Sequence, residues 1–84
     1  MEYVISNHAK AQMQERDISE EEVDSVLQNP QQIVDGERGR KVYQSLTVKN
    51  SRLLLLRVIV VPNRKPPVVV SVYVTTQGRY WSSL

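Results

Sequence analysis

Residues 52–61 read RLLLLRVIVV, in which every residue except Arg52 and Arg57 is apolar. Successive side chains of a strand point to opposite faces, so this run, as a strand, is apolar on both faces. A short apolar run of that kind is typical of a strand in the middle of a sheet. Arg57 interrupts it, and a guanidinium in apolar surroundings costs free energy unless it reaches water, a carboxylate or a phosphate. Arg57 is therefore the first candidate functional residue.

Two helices are predicted before this strand. A polar entry at residues 5–8, where a Ser or Asn side chain can cap the first turn, leads into a helix over residues 8–16. Ser19 and Glu22 form a capping box that starts a second helix, which ends at residues 29–30. The three glutamates that open this helix suit the positive end of its dipole, so no functional role is needed to explain them. The apolar faces of the two helices consist of Ala9, Met13, Val23, Val26 and Leu27.

The rest of the chain shows the period-two alternation of strands. The predicted strands are residues 32–35, 40–48, 52–61 and 68–76, joined in part by a turn at 36–39 and a stiff basic loop at 62–67. This order predicts an α+β fold with two N-terminal helices packed on one face of a four-stranded antiparallel sheet, three main strands plus a short one, in a single domain over residues 1–84. The other face is predicted to be partly open, with the side chains Tyr43, Ser45, Thr47, Arg57, Ser71, Tyr73 and Thr75. Residues 77–81 are predicted to form a flexible joint followed by a cation and two aromatic rings.

The composition limits the kinds of site that the chain can carry. It contains no cysteine, which excludes a disulfide and a thiolate for zinc binding or nucleophilic attack. No metal-ligand set or glycine-rich phosphate loop is visible, so we predict neither a metal nor a cofactor. The start of the chain lacks the features of a signal peptide, and no apolar stretch approaches the ~20 residues of a membrane span. We therefore expect a cytoplasmic protein without membrane contact.

The charge is divided unevenly along the chain. Residues 1–37 hold all nine acids and two bases, a formal charge of −7, whereas residues 38–84 hold nine bases and no acid, a formal charge of +9. One interpretation is that the acidic part complements the basic part inside the fold or across a dimer. The other is that the basic part forms a surface that binds a polyanion such as a nucleic acid.

A set of widely spaced residues connects the chain to a known family. The set is His8-Ala9, Met13, Glu15-Arg16-Asp17-Ile18, Ser19, Val23, the segment Val70-Ser71-Val72-Tyr73-Val74-Thr75 and Arg79-Tyr80-Trp81. With these residues the chain resembles the uncharacterised family catalogued as domain of unknown function 4258, over nearly its whole length. That family is similar to the RelE/ParE toxin superfamily, small bacterial proteins with two helices on a curved antiparallel sheet. Several branches are metal-independent ribonucleases that often act on messenger RNA in the ribosome, whereas ParE-like members are not nucleases.

The resemblance matches some of the candidate residues to family positions and leaves others unmatched. His8 and Arg16 match the histidine and arginine of the family's helical motif, and Tyr73 and Thr75 lie in its last strand. Gln12 occupies a position where relatives often have a basic residue, which weakens a phosphate track along that helix. RelE-type catalysis also relies on lysines, arginines and a C-terminal tyrosine that differ between branches.

The first functional hypothesis is that the chain cleaves RNA by attack of a 2′-hydroxyl on the adjacent phosphorus. This reaction needs a proton acceptor, a proton donor and cations that stabilise the charge developing on phosphate. His8, the only histidine, is the candidate for proton transfer near neutral pH. Arg57 and Arg79 are candidates for binding phosphate. Tyr73 or Tyr80 could stack on a base or supply a second proton.

Two of the candidates also have structural interpretations. Arg16 lies beside the apolar face of its helix and could bind phosphate or pair with an acid such as Glu20. His8 could bond to the backbone at the helix start or pack against the sheet.

The second hypothesis is a non-catalytic module of the same fold that binds RNA, the ribosome or a protein. An antitoxin segment laid across the basic surface is the partner that the resemblance to toxins implies. The chain could also be a monomer or a homodimer, the latter formed through the open sheet face or an exposed strand edge.

Overall fold

The computed structural model describes residues 1–81, except for the side chains of Arg79 and Tyr80. The elements in chain order are β1 (Val4–Ile5), α1 (Asn7–Glu15), α2 (Glu20–Gln28), β2 (Gln32–Asp35), β3 (Lys41–Lys49), β4 (Arg52–Val61), β5 (Val68–Thr75) and α3 (Gln77–Tyr80). A short 3-10 turn, Glu37–Gly39, links β2 to β3. The strand order β1-β5-β4-β3-β2 places β4 in the centre of the sheet. The α+β class, the two N-terminal helices and the central position of residues 52–61 are thus confirmed.

The sheet has five strands and is mixed, so the prediction of a four-stranded antiparallel sheet is wrong. The additional strand, β1, runs parallel to β5 and pairs Val4 with Val68. The backbone N–H of Val4 donates to the carbonyl of Pro67 at 3.0 Å, and the N–H of Ser6 donates to Val69 at 2.9 Å. β1 has only two residues, too few to show the period-two pattern of a strand in the sequence. It is a strand because it pairs with β5.

A further difference from the prediction concerns the last residues of the described chain. Residues 77–80 form the short helix α3 rather than a flexible joint, and α3 contacts β4.

Helix α1 has a well-defined start and end. The hydroxyl of Ser6 caps it by accepting from the N–H of Ala9 at 3.1 Å. At the other end, Asp17 adopts a left-handed conformation with φ 54°, and the N–H of Ile18 donates to the carbonyl of Met13 at 2.8 Å. This is a Schellman-type termination, which also brings Ile18 and Met13 together in the core.

Helix α2 begins with the predicted capping box. The hydroxyl of Ser19 accepts from the N–H of Glu22, and the Glu22 carboxylate accepts from the N–H of Ser19, both at 3.0 Å. Both helices cover the same face of the sheet. The buried core between the helices and the sheet consists of Ala9, Met13, Ile18, Val23, Val26, Leu27, Leu56, Val58, Val60, Val69 and Val72.

The register of β3 on β4 decides which side chains lie on the opposite side of the sheet, called the far face below. Tyr43 pairs with Val58 and Ser45 pairs with Leu56, so both lie on the face that the helices cover. The prediction that Tyr43, Ser45 and Thr47 lie on the open face is therefore wrong. A one-residue shift in register exchanges the two faces of a strand, and the alternation of β3 alone does not fix that register. The other predicted residues, Arg57, Ser71, Tyr73 and Thr75, do share the far face.

A bulge in β5 changes which of its side chains point towards the helices. Ile59 pairs with Ser71, but the next residue, Val60, pairs with Val69, so Val70 is an additional residue without a partner across the ladder. Simple alternation would put Val69 on the same face as Ser71. The bulge instead turns Val69 into the helix-covered core and leaves Ser71 on the far face.

The β3–β4 hairpin closes with a two-residue turn at Asn50 and Ser51. Their φ angles are 52° and 62°, as a type I′ turn requires. Asparagine tolerates this conformation, whereas serine is strained in it.

Ser51→Gly is expected to raise the free energy of unfolding by about 0.5–1 kcal/mol, because glycine adopts a positive φ without a steric penalty. Urea denaturation followed by circular dichroism measures the change. Ser25→Gly, an exposed position inside α2, is the control and should be destabilised by roughly 0.5 kcal/mol. A loss of stability in Ser51→Gly would contradict this account of the turn.

Lys49 ties the end of β3 to the connection between the helices. Its ammonium donates to the carbonyl of Asp17 at 2.6 Å and to the carboxylate of Glu22 at 3.0 Å. Desolvation raises the pKa of Glu22, but the bonds from Ser19 and Lys49 together outweigh it, so the pKa of Glu22 is lowered overall. A carboxyl with a lowered pKa stabilises the fold above its unfolded pKa, and that contribution disappears as the pH falls.

Glu22→Gln is therefore expected to be less stable than the wild type at about pH 7 and nearly equal to it at about pH 3. Thermal unfolding at several pH values measures the difference in midpoint. Glu21→Gln, exposed on the same helical turn, removes the same charge without the bond to Lys49 and should show a smaller dependence on pH. A difference for Glu22→Gln that stays constant with pH would contradict the assignment.

Candidate functional site

An open groove of about 650 Å³ lies on the far face of the sheet. Its floor comes from the three long strands and consists of Val42, Arg57, Ile59, Ser71 and Tyr73. One end of the groove is formed by Asp35, Gly36, Glu37 and Arg40, at the turn between β2 and β3. The strand register brings these five side chains to one face of the sheet, because Val42 pairs with Ile59, Ile59 with Ser71, and Arg57 with Tyr73.

Arg57 is held in the groove by neighbouring side chains. Its Nε donates to Oε1 of Gln44 at 2.9 Å. Nε2 of Gln44 in turn donates to Oε1 of Gln32 at 2.7 Å. Gln44 is completely buried, with 0% exposure. A buried polar group is stable only when it is hydrogen-bonded, so this chain of amides fixes the plane of the guanidinium.

Tyr73 is the second partner of Arg57 in the groove. Nη1 of Arg57 donates to the hydroxyl of Tyr73, and Cζ of Arg57 lies 5.6 Å from the centre of the Tyr73 ring. Gln44 and Tyr73 are both neutral acceptors, and these two contacts orient the guanidinium in the groove. The groove thus combines an oriented cation, a half-buried aromatic ring and the hydroxyl of Ser71.

Charged residues line the end of the groove at the turn. Arg40 is half-buried there, and Glu37 is exposed. Asp35 forms an ion pair with Lys41, its partner across the β2–β3 ladder. The hydrogen bond from Lys41 and its positive charge lower the pKa of Asp35. The two ion pairs among the described residues, Lys41–Asp35 and Lys49–Glu22, each join the acidic first part of the chain to the basic second part.

The helical candidates His8 and Arg16 lie in and directly after α1. This helix touches the groove through Gln12, whose Oε1 accepts from the hydroxyl of Ser71 at 3.0 Å. His8 is exposed in the first turn of α1, and neither residue lines the groove. Nη1 of Arg16 donates to the backbone carbonyl of Val72 at 3.1 Å, rather than to Glu20. Oε1 of Gln12 accepts from the N–H of Val72 at 2.8 Å. Gln12 and Arg16 therefore supply hydrogen-bond partners to the N–H and carbonyl of Val72, beyond the point where β1 ends. A neighbouring strand would supply the same partners at this outer edge of β5.

The side chains of the C-terminal candidates Arg79 and Tyr80 lie outside the described part of the structure. Of the predicted site residues whose side chains the structure describes, Arg57 and Tyr73 are the two that it brings together.

A comparison with protein families assigns the chain. The family model described as Domain of unknown function (DUF4258) matches residues 5–74. The chain belongs to this DUF4258 family. Neither a curated protein nor a solved structure gives a match. The predicted family is confirmed, and its similarity to the RelE/ParE superfamily stays a prediction.

Two further observations on this DUF4258 domain concern metals and membranes. Among residues 1–81, no three His, Asp or Glu side chains are grouped as metal ligands would be. None of the helices in the same range combines the length and the apolar character of a membrane span.

Gln44, Gln32 and Arg40 were not among the residues predicted from the sequence. The signal for Gln44 was present, because it takes an apolar position in the alternation Val42, Gln44, Leu46, Val48, as Arg57 does in β4. The two exceptions pair directly across the ladder. No comparable signal marks Gln32 or Arg40, which lie in a short strand and beside a turn.

Gln44→Leu is expected to lower the free energy of unfolding by about 1–3 kcal/mol, because Nε of Arg57 and Oε1 of Gln32 lose the amide between them. Urea denaturation measures the loss. The control Gln14→Leu, at an exposed position of α1, should change stability by less than about 0.5 kcal/mol. Unchanged stability in Gln44→Leu would show that the buried amide is not needed to hold Arg57.

Proposed function

We propose that this DUF4258 domain binds single-stranded RNA in the groove on the far face of the sheet. The observation that carries the proposal is the meeting of Arg57, Tyr73, Arg40 and Ser71 in one open groove of about 650 Å³. Gln44 and Tyr73 orient Arg57, and an arginine with a fixed orientation suits the geometry of a phosphate.

The chemistry of the groove favours a single strand over a duplex. Single strands expose base faces, which stack on aromatic rings, while cations bind the phosphates between them. Tyr73 supplies a ring and Arg57 a cation within one cross-strand pair. The hydroxyl of Ser71 donates to Oε1 of Gln12 at 3.0 Å, and its oxygen can still accept from a ribose 2′-hydroxyl, the group that distinguishes RNA from DNA.

The similarity of the family to RelE/ParE-like toxins is part of the same proposal. A relationship to RelE/ParE-like toxins implies a cytoplasmic protein that acts on messenger RNA or the ribosome and has an antitoxin as partner. The +9 charge of residues 38–84 is consistent with both kinds of partner, because RNA and acidic protein segments are attracted to basic surfaces. Sedimentation distinguishes a monomeric domain from a homodimer.

The geometry supports binding better than cleavage. Cleavage through a 2′-hydroxyl needs a proton acceptor and a cation at the same phosphate. His8 does not line the groove that holds Arg57, and α1 packs on the core side of the sheet. Ribonuclease activity with His8, Tyr73 and Tyr80 as catalytic residues remains the prediction that the family resemblance implies.

Arg57→Gln is expected to weaken binding of a fluorescent single-stranded RNA by about 10-fold or more, since a hydrogen bond to a charged group contributes about 1.5–3 kcal/mol. The slope of log affinity against log salt should become shallower by about 0.7 when one phosphate contact is lost. Fluorescence anisotropy at several salt concentrations measures both quantities.

The matched control is Arg52→Gln, which removes an exposed arginine from the other end of the same strand. It should retain nearly full affinity, and circular dichroism must confirm that both variants are folded. Equal effects of the two substitutions would argue against the groove as the RNA site. A denaturing gel of the same samples tests cleavage, which would be assigned to His8 if it is lost in His8→Ala.

A further inference from the structure

Two basic loops lie at the end of the sheet where the groove ends. The first is residues 36–40, between β2 and β3, and the second is residues 62–67, between β4 and β5. They are called the basic rim below. β3 begins at Lys41, which pairs with Val60 near the end of β4, so the loops leave the sheet from adjacent strands. Together they contain four bases and one acid, namely Arg38, Arg40, Arg64, Lys65 and Glu37.

The backbone of the rim is restricted in both loops. In the first, the N–H of Gly36 donates to the carbonyl of Arg40 at 2.8 Å, and a Cβ at Gly36 would meet Cγ2 of Val42 at 3.2 Å. The second loop holds three prolines among its six residues, each with a fixed φ. Restricted loops lose little entropy when they bind a ligand. Arg38, Arg64 and Lys65 are exposed, so this end of the domain presents cations at defined places.

Arg57 and the second loop are too far apart to contact one phosphate. Arg57 lies four residues before Val61, where β4 ends, and strand residues advance about 3.3 Å each. The second loop therefore begins roughly 13 Å from Arg57 along the strand. Arg40 belongs to the first loop and also lines the groove, which makes the two surfaces continuous.

We propose that the basic rim extends the groove, so that the ligand is a single-stranded RNA of several nucleotides that runs from Tyr73 and Arg57 past Arg40 to Arg64 and Lys65. This inference rests on the proposed function and specifies its ligand. A nucleotide or dinucleotide fills the groove only, and longer strands gain affinity from phosphate contacts on the rim.

The test compares RNA lengths and matched pairs of substitutions. Binding of a dinucleotide and of a strand of about twelve nucleotides is measured by competition against a labelled RNA at several salt concentrations. The rim variant is Arg64→Ala with Lys65→Ala. The control, Lys10→Ala with Arg52→Ala, also removes two exposed cations, from α1 and from the other end of β4. Arg38→Gly is a second rim variant that keeps the positive φ of 57° accessible.

For the long strand, the rim variant should bind at least about 10-fold more weakly, and its salt slope should become shallower by about 1.4, as expected for two lost phosphate contacts. Its affinity for the dinucleotide should match the wild type, and the control pair should bind both ligands nearly as the wild type does. Arg38→Gly should show a smaller loss in the same direction, for the long strand only.

Equal losses in the rim and control pairs would overturn the inference, as would equal affinities of the wild type for short and long RNA. Arg57→Gln separates the two proposals. If it weakens the long strand while the rim variants do not, the groove is supported and the extension is overturned. If neither Arg57→Gln nor the rim variants weaken the long strand, the proposed function itself is wrong.

Discussion

The burial of β4 between two neighbouring strands is the constraint on which the rest of the structure depends. β3 and β5 satisfy its backbone on both sides, and Leu55, Leu56, Val58 and Val60 are at most 1% exposed. Removing their apolar surface from water stabilises the fold in proportion to its area. The helices cover one face of this strand. A polar group packed among apolar side chains on the other face is stable only where it finds hydrogen-bond partners, as Ser71 does in Gln12 of α1.

Arg57 is the residue on which that requirement acts most strongly. A guanidinium beside Leu55 and Ile59 needs acceptors that do not compete with the apolar packing. The domain provides a buried amide from β3 and a phenol from β5. The hydrogen bonds that offset the cost of placing Arg57 among apolar side chains also fix its orientation in the groove. A structural requirement of the core has in this way produced the feature that makes the far face a candidate for binding phosphate.

The sequence predicted those parts of the fold that have strong local signals. Three such features could be recognised, namely the capping box at Ser19, the apolar run of β4 and the charged Arg57 within that run. The two-residue strand β1 and the register of β3 could not, because the first has no periodicity and the second depends on pairing with β4. The role of Gln12 and Arg16 at the edge of β5 was also hidden, since it follows from the end of β1 and not from the helix itself.

The groove as an RNA site is the central claim, and mapping of bound RNA by nuclear magnetic resonance tests it most directly. A short single-stranded RNA would be titrated into the isotopically labelled domain while backbone amides and arginine Nε–H signals are followed. If RNA binds in the groove, the largest changes fall on the Nε–H of Arg57 and on amides of Tyr73, Ser71 and Arg40. Changes confined to α1 and α2, with the Arg57 signal unmoved, would contradict it.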